Sequence, residues 1–251
     1  MAAFKDHFSG TSADYARCRP TYPPELAGLL ADVSPAAGLA LDVGCGSGQL
    51  TALLAERFER VVGVDASAEQ IARAEPQPRI TYRCVPAEAT GVEPGTADLV
   101  VAAQAAHWFA LDAFYAEARR VARPGAAIAL VTYATLDLPE DAAVDAVVAD
   151  FYGNVAGPYW PPERAHVEAG YATLPFPFPE IAYEPLAIRV RWPMDAFLGY
   201  VATWSALAGL RRAHGEAPIE AFRERLAQAW GDPSEPKAVR WPIALRLGRL
   251  P

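Results

Sequence analysis

Ala40-Leu41-Asp42-Val43-Gly44-Cys45-Gly46-Ser47-Gly48-Gln49-Leu50-Thr51 runs from a buried-strand pattern into three alternating glycines and then into a helix. Glycine has no Cβ, so a chain built this way takes positive φ and brings bare backbone against a ligand, and the N–H groups of the following helix offer a place for negative charge. The spacing is Gly-x-Gly-x-Gly, with Gln49 standing where the dinucleotide fingerprint Gly-x-Gly-x-x-Gly needs its last glycine. The departure points to a nucleotide-bearing cofactor other than NAD. A plain tight turn between strand and helix is the alternative, and the segments that follow decide between the two.

A second strand pattern, Arg60-Val61-Val62-Gly63-Val64-Asp65, ends in a carboxylate 21 residues after the first glycine of the turn. An acid at that interval, at the tip of the neighbouring strand, is placed to grip a ribose diol. Asp65 has a second reading as the N-cap of the helix that Ser67-Ala68-Glu69-Gln70 begins. Its position after a glycine turn favours the ribose. A third strand, Arg79 to Val85, runs into Pro86-Ala87-Glu88-Ala89, and a fourth, Ala97 to Ala102, into Ala103-Gln104-Ala105-Ala106-His107-Trp108-Phe109.

With these pieces the chain resembles the class I S-adenosylmethionine-dependent methyltransferases over about Phe8 to Tyr133. In that family the Gly-x-Gly-x-Gly turn holds the methionyl part of the cofactor, the acid after strand two the ribose, and an Ala-Glu or Ala-Asp after strand three the adenine edge. The resemblance implies S-adenosylmethionine as cofactor, S-adenosylhomocysteine as its product, and contacts from Asp42, Gly44, Gly46, Gly48, Asp65, Ala66, Gln70, Ala87, Glu88 and Gln104. The segment Tyr15-Ala16-Arg17-Cys18-Arg19-Pro20-Thr21-Tyr22-Pro23 is similar to the Tyr-x-x-x-Arg-Pro-x-Tyr-Pro leader of small-molecule methyltransferases. There it implies an arm folded over the cofactor, with Tyr15, Arg19 and Tyr22 near the methionyl end; a simple aromatic staple to the core is the other reading.

Strands and helices alternate from Glu25 to Tyr133, which implies an α/β fold with a Rossmann-like, doubly wound, mostly parallel sheet, here expected to hold seven strands. The expected helices are Glu25 to Val33, Leu50 to Phe58, Ala68 to Ala74, Leu111 to Ala122, Asp141 to Phe151, Met194 to Leu210 and Ala217 to Trp230. Further strands are expected at Ala126 to Tyr133, Leu186 to Trp192 and Pro236 to Leu247. Arg119 and Arg120 fall off the apolar stripe of their helix and read as solvated. Nothing in the sequence argues for a linker, so residues 1–251 are expected to form one domain: arm and first helix 1–33, cofactor core 39–135, substrate-side insertion 136–184 and C-terminal strands and helices 185–251.

The insertion is rich in rings and prolines. Eight of the 34 residues from Phe151 to Glu184 are aromatic, against 26 of all 251, and six are proline. Such a stiff aromatic segment suits either an acceptor-binding wall or a small core of its own. Its Trp-Pro-Pro-Glu-Arg and Phe-Pro-Phe pieces, with Thr-Trp-Ser-Ala and Gln-Ala-Ala-His-Trp-Phe, are most similar to the trans-aconitate methyltransferase-like branch. Candidate acceptor contacts are Trp108, Tyr159, Trp160, Arg164 and Trp204, with Arg164 offering a planar fork for a carboxylate. His107, at a strand's carboxyl end, is the candidate general base, or else a residue that shapes its loop.

The expected reaction is O-methylation of a small carboxylic acid. The alternatives are carbon or nitrogen methylation in a biosynthetic pathway, or a regulatory protein that binds the cofactor without turnover. The net charge of −8 and pI near 5.1 lack the basic footprint of a nucleic-acid protein. Asp/Asn-Pro-Pro-Tyr/Phe does not follow strand four, which counts against methylation of DNA bases. Three widely spaced cysteines fit neither a disulfide framework nor zinc, and the four histidines lack ligand-spaced partners, so no metal is expected. No apolar run reaches the length of a membrane span, and the N-terminus carries no secretory pattern. A cytoplasmic enzyme, monomer or homodimer, with no nucleic-acid or membrane partner, is the expectation.

Overall fold

The computed structural model describes residues 20–133 and 135–251, so Tyr15 and Arg19 lie outside the described residues. Seven strands form one sheet in the order β3-β2-β1-β4-β5-β7-β6. Strands β1 (Leu39–Val43), β2 (Arg60–Asp65), β3 (Ile80–Cys84), β4 (Ala97–Ala103) and β5 (Ala122–Tyr133) pair in parallel. β7 (Lys237–Arg249) runs antiparallel to β5 and to the edge strand β6 (Leu186–Trp192). The order reverses at β1, and the crevice at the carboxyl ends of β1 and β4 is where a doubly wound sheet receives its ligand.

Helices are α1 (Pro24–Asp32), α2 (Gln49–Leu54), α3 (Ala68–Ala72), α4 (Leu111–Val121), α5 (Ala142–Asp150), α6 (Arg164–Glu168), α7 (Met194–Ala202), α8 (Ala206–His214) and α9 (Ala217–Trp230). Because side chains alternate along a strand, each buried strand feeds two cores. Ala127, Ala129 and Val131 of β5 join Leu26, Leu54 and Phe151 on one face, while Ala126, Ile128 and Leu130 join Phe114, Tyr115 and Tyr171 on the other. Among the described residues no helix is long and apolar enough to cross a membrane.

The helix after Met194 and the start of β5 differ from the pattern in the sequence. The helix expected from Met194 to Leu210 breaks into α7 and α8, because Trp204 turns inward to 6% exposure and the Thr203 hydroxyl donates to the Tyr200 carbonyl at 2.7 Å. β5 begins at Ala122, ahead of Pro124, with a register shift between Ala97 and Leu99 that absorbs the irregularity. Arg119 and Arg120 are exposed, as expected, while making surface contacts: Arg119 lies over the Phe178 ring at 4.8 Å, and Arg120 donates to Glu117 at 2.6 Å and to the Val92 carbonyl at 2.8 Å. Glu117 also accepts from the Thr90 amide and hydroxyl, and the Arg120 bond is the leading reason its carboxyl is held down at about 2.

Much of the aromatic content of the insertion makes core. Phe151 stacks on Phe222 with centroids 4.0 Å apart, and Phe178 meets Tyr115 edge-on at 5.1 Å. Tyr22 is buried against Tyr133 at 6.1 Å, as a staple would be. An open groove of about 340 Å³ lies on the β6–β7 edge among Arg189, Arg191 and Arg240, and it touches none of the candidate site residues.

Candidate functional site

The glycine turn is left-handed at each glycine, with φ of 72° at Gly44, 56° at Gly46 and 88° at Gly48. Gly44 and Cys45 both donate their amides to the Val64 carbonyl, at 2.8 and 3.0 Å, which pins the turn to the neighbouring strand. A Cβ at Gly44 would stand 2.4 Å from that of Ala105, and one at Gly48 2.2 Å from the Tyr82 hydroxyl. Glycine is therefore required at both positions by dihedral angle and by space. At Gly46 the nearest atom to such a Cβ among the described residues is Gln70 Oε1 at 3.9 Å, so they leave this side of the turn open to a ligand.

Two acids flank the turn. Asp65 accepts from the Gly46 amide through Oδ2 at 2.9 Å and from the Ser67 amide through Oδ1 at 2.8 Å, and each oxygen keeps a further lone pair. The cap of α3 is Ser67, whose hydroxyl accepts from the Gln70 amide at 3.3 Å, so the capping reading of Asp65 does not hold. Asp42 is fully enclosed beneath the turn. Its Oδ2 accepts from the Thr51 hydroxyl at 2.6 Å, and its Oδ1 has no hydrogen-bond partner among the described residues. Burial pushes this carboxyl up to about 7, with the charge of Asp65 adding to the rise and the Thr51 bond opposing it. An open glycine cradle over an orphaned carboxylate oxygen, with a second acid beside it, fits a cofactor that has a cationic end and a sugar diol.

The remaining cofactor candidates stand at the carboxyl ends of adjacent strands. Ala66 is exposed after β2, Gln70 is half-buried on α3, and Ala87 and Glu88 follow β3, with Glu88 Oε1 accepting from the Ala110 amide at 3.2 Å. Gln104 follows β4 at φ 55° and lines the acceptor-side pocket. The thiol of Cys45 is pushed up by burial and then by Asp42 and Asp65, which leaves it an unreactive packing group. Among the described residues no three His, Cys, Asp or Glu side chains come together as a metal site.

Beyond the ends of β4 and β5, Gln104, Tyr133, Trp160, Arg164, Tyr200, Trp204 and Ser205 line a pocket of about 50 Å³. Arg164, on the first turn of α6, is 23% exposed and held from several sides. Its Nε donates to the Tyr152 hydroxyl at 2.9 Å and lies 3.7 Å from Glu168, which Tyr152 also meets through a hydrogen bond. Its guanidinium stands over the Trp160 ring at 5.0 Å and the Tyr152 ring at 5.7 Å. The two terminal nitrogens make no hydrogen bond among the described residues, which leaves a bidentate donor edge at the pocket.

His107 and Trp108 are not among the residues lining this pocket; His107 sits in the turn Ala106–Trp108, with Nδ1 2.8 Å from the Tyr171 hydroxyl. Burial, then the positive charges of Arg164 and His166, press its pKa down to about 4 against the pull of Glu163, so the ring is neutral at pH 7. Trp108 is 38% exposed with its ring 4.8 Å from His107. Tyr159 is not brought to the pocket: its ring packs against Gly209 of α8 and its hydroxyl bonds His214 Nε2 at 2.7 Å. Tyr82, Thr51, Tyr152 and Tyr171 are the participants that sequence patterns do not single out; only the Asp42 to Thr51 pairing across the glycine turn is local enough to be inferred.

Comparison with known proteins agrees with this geometry. The family described as methyltransferase domain matches residues 41–130. A Dictyostelium discoideum protein assigned as a methyltransferase is 30% identical, over 98% of this chain and 95% of its own. An uncharacterised methyltransferase of Mycobacterium tuberculosis is 37% identical over 49% of this chain and 51% of its own length. The solved structure of a protein assigned as a type II methyltransferase, from Anaeromyxobacter dehalogenans, is 55% identical, covers 93% of this chain and 99% of that one, and superposes with a TM-score of 0.89.

Proposed function

The chain belongs to the class I S-adenosylmethionine-dependent methyltransferases, and on that premise we propose that its acceptor is a small carboxylic acid methylated on oxygen. The observation that carries this reading is Arg164, wedged between Trp160 and Tyr152 with its terminal nitrogens unbonded at the pocket beyond β4 and β5. A planar fork held rigidly in a half-buried aromatic setting suits a carboxylate better than a neutral group. The Trp-Pro-Pro-Glu-Arg and Thr-Trp-Ser-Ala pieces supply the parts of this pocket, which supports a trans-aconitate methyltransferase-like acceptor. The net charge of −8 supports a small-molecule partner over a nucleic acid.

When bound, S-adenosylmethionine supplies an electrophilic methyl group carried on a sulfonium. The residues that would hold it are the turn Gly44 to Gly48 with Asp42 beneath, Asp65 on the ribose, and Ala87 and Glu88 toward the adenine. The chain's own task is then alignment and exclusion of water, since fixing two reactants in line contributes up to ~7–11 kcal/mol. Trp160 and Trp204 wall the acceptor off from solvent, and in that setting the ion pair with Arg164 strengthens. An ionised carboxylate needs no base to attack.

An acceptor screen over small mono-, di- and tricarboxylic acids, reading S-adenosylhomocysteine formed and identifying the methylated product, tests the proposal. Turnover of carboxylic acids to O-methyl products is the expected result. Turnover confined to amines or neutral phenols would overturn it.

A further inference from the structure

Gly63 stands inside β2, a strand whose other buried residues are valines, and a glycine there weakens the strand because it has no side chain to pack. Directly opposite it in the register of β3 is Tyr82. Residues that face each other across two strands put their side chains on the same side of the sheet, so the tyrosine ring can lie over the glycine. The distances show that it does. A Cβ at Gly63 would stand 2.9 Å from Tyr82 Cδ1, 3.0 Å from Cε1 and 3.1 Å from Cys45 Sγ. The gap in β2 is filled by a ring from β3 and a thiol from the glycine turn.

The same ring continues to the turn. Gly48, the N-cap of α2, would place a Cβ 2.2 Å from the Tyr82 hydroxyl, 2.9 Å from Cζ and 3.0 Å from Cε1. Each glycine of the turn therefore has its own hold. The Gly44 amide donates to the Val64 carbonyl at 2.8 Å, the Gly46 amide donates to Asp65 Oδ2 at 2.9 Å, and Gly48 abuts the Tyr82 ring. Holds of this kind matter at glycines, which have the widest backbone freedom to lose when a ligand orders them.

We propose that Tyr82 is a positioning residue for the cofactor: lying across the gap at Gly63, it holds Gly48 and keeps the glycine turn in the form that receives the methionyl part of S-adenosylmethionine. The hold is one of shape, since ring carbons as well as the hydroxyl crowd Gly48, and ring carbons alone crowd Gly63 from the tyrosine's side. A turn held this way populates its binding form before the ligand arrives. Without the ring the turn spends time in other forms, and apparent affinity falls by the fraction that remains competent. The effect falls on the cofactor alone, whatever the acceptor.

Calorimetric titration with S-adenosylhomocysteine, which needs no acceptor, tests the role of the ring. Tyr82→Leu keeps apolar bulk over Gly63 and no longer reaches Gly48, so its affinity falls by about tenfold or more while its denaturant midpoint stays near that of the wild type. Tyr82→Phe retains the ring and binds within about threefold of the wild type. Gly63→Ala pushes the same ring off its seat and lowers affinity, but has little further effect in Tyr82→Ala, so the two changes are non-additive in binding. Spectra of ligand-free protein labelled with ¹⁵N-glycine read the turn itself. Gly46 and Gly48 give single sharp signals in the wild type and broadened or doubled ones in Tyr82→Leu, which sharpen when S-adenosylhomocysteine is added. Wild-type affinity in Tyr82→Leu, equal losses in Tyr82→Leu and Tyr82→Phe, or glycine signals unchanged in Tyr82→Leu overturns the proposal.

Discussion

Oδ2 of Asp65 accepts from the Gly46 amide at 2.9 Å, so the acid at the tip of β2, proposed above to hold the ribose, also shapes the glycine turn on β1. Asp65→Ala removes the partner of two backbone amides, Gly46 and Ser67, and is expected to weaken S-adenosylmethionine binding by ~1–3 kcal/mol, the usual cost of unpaired polar groups. Asp65→Asn keeps one accepting oxygen for the two amides and falls between. Calorimetric titration of the three proteins measures this; wild-type affinity in Asp65→Ala would show that the turn stands without it.

Gly48 carries two demands at once, a φ of 88° and a hydroxyl 2.2 Å from where its Cβ would be. Gly48→Ala is expected to cost ~1–2 kcal/mol from the dihedral alone, and more from Tyr82. Tyr82→Ala in the same chain relieves the contact and leaves the dihedral, so the pair is non-additive in a double-mutant cycle of denaturant midpoints. Strict additivity would mean that Tyr82 does not close over the turn.

The parts of the site that the sequence makes legible are local. The first four strands are apolar runs that end in chemistry, and Trp160 to Arg164 is a stiff segment whose own residues build the arginine's seat. What stays hidden is carried by ordinary residue types far apart. His107 and Tyr171 are 64 positions apart and Gln104 and Thr132 are 28, and no pattern in either segment announces the pairing. Periodicity also runs straight through Thr203 to Ser205, because the inward turn of Trp204 depends on Phe151 and Trp160 from a different segment. Tyr159, adjacent to Trp160, shows the converse: sequence proximity to the pocket does not place a ring in it.

Asp42 gives a pH dependence with a defined sign. Its folded pKa of about 7 lies above the ordinary 3.8, so the folded state holds a proton that the unfolded chain releases between those values. The stability this contributes is present at low pH and is lost as pH rises toward 7. Asp42→Asn removes the titration and keeps an oxygen for Thr51. The difference in unfolding free energy between the Asp42→Asn variant and the wild type is therefore expected to shift in favour of the variant from pH 5 to pH 8, by on the order of a few kcal/mol. Parallel denaturation curves across that range, with a constant difference, would place the carboxyl near its ordinary pKa.

Arg164 is the residue on which the proposed acceptor class rests. If its free edge binds a carboxylate, Arg164→Ala raises the acceptor KM or lowers kcat/KM by about tenfold or more, and Arg164→Lys does much the same, since a single ammonium replaces neither the fork nor the stacking on Trp160. Cofactor affinity is expected to stay at the wild-type value in both, because the glycine turn and Asp65 belong to other strands. The bond to the Tyr152 hydroxyl leaves open a purely structural part for the arginine, and Tyr152→Phe separates the two. That variant removes the support and keeps the fork, so it is expected to raise KM by less than Arg164→Ala while leaving the preference for acids over neutral analogues intact. Steady-state kinetics with a carboxylic acid and its amide, across all four proteins, gives the comparison. Wild-type rates in Arg164→Ala, together with equal use of acid and amide, would remove the arginine from the acceptor site and the carboxylic acid from the proposal.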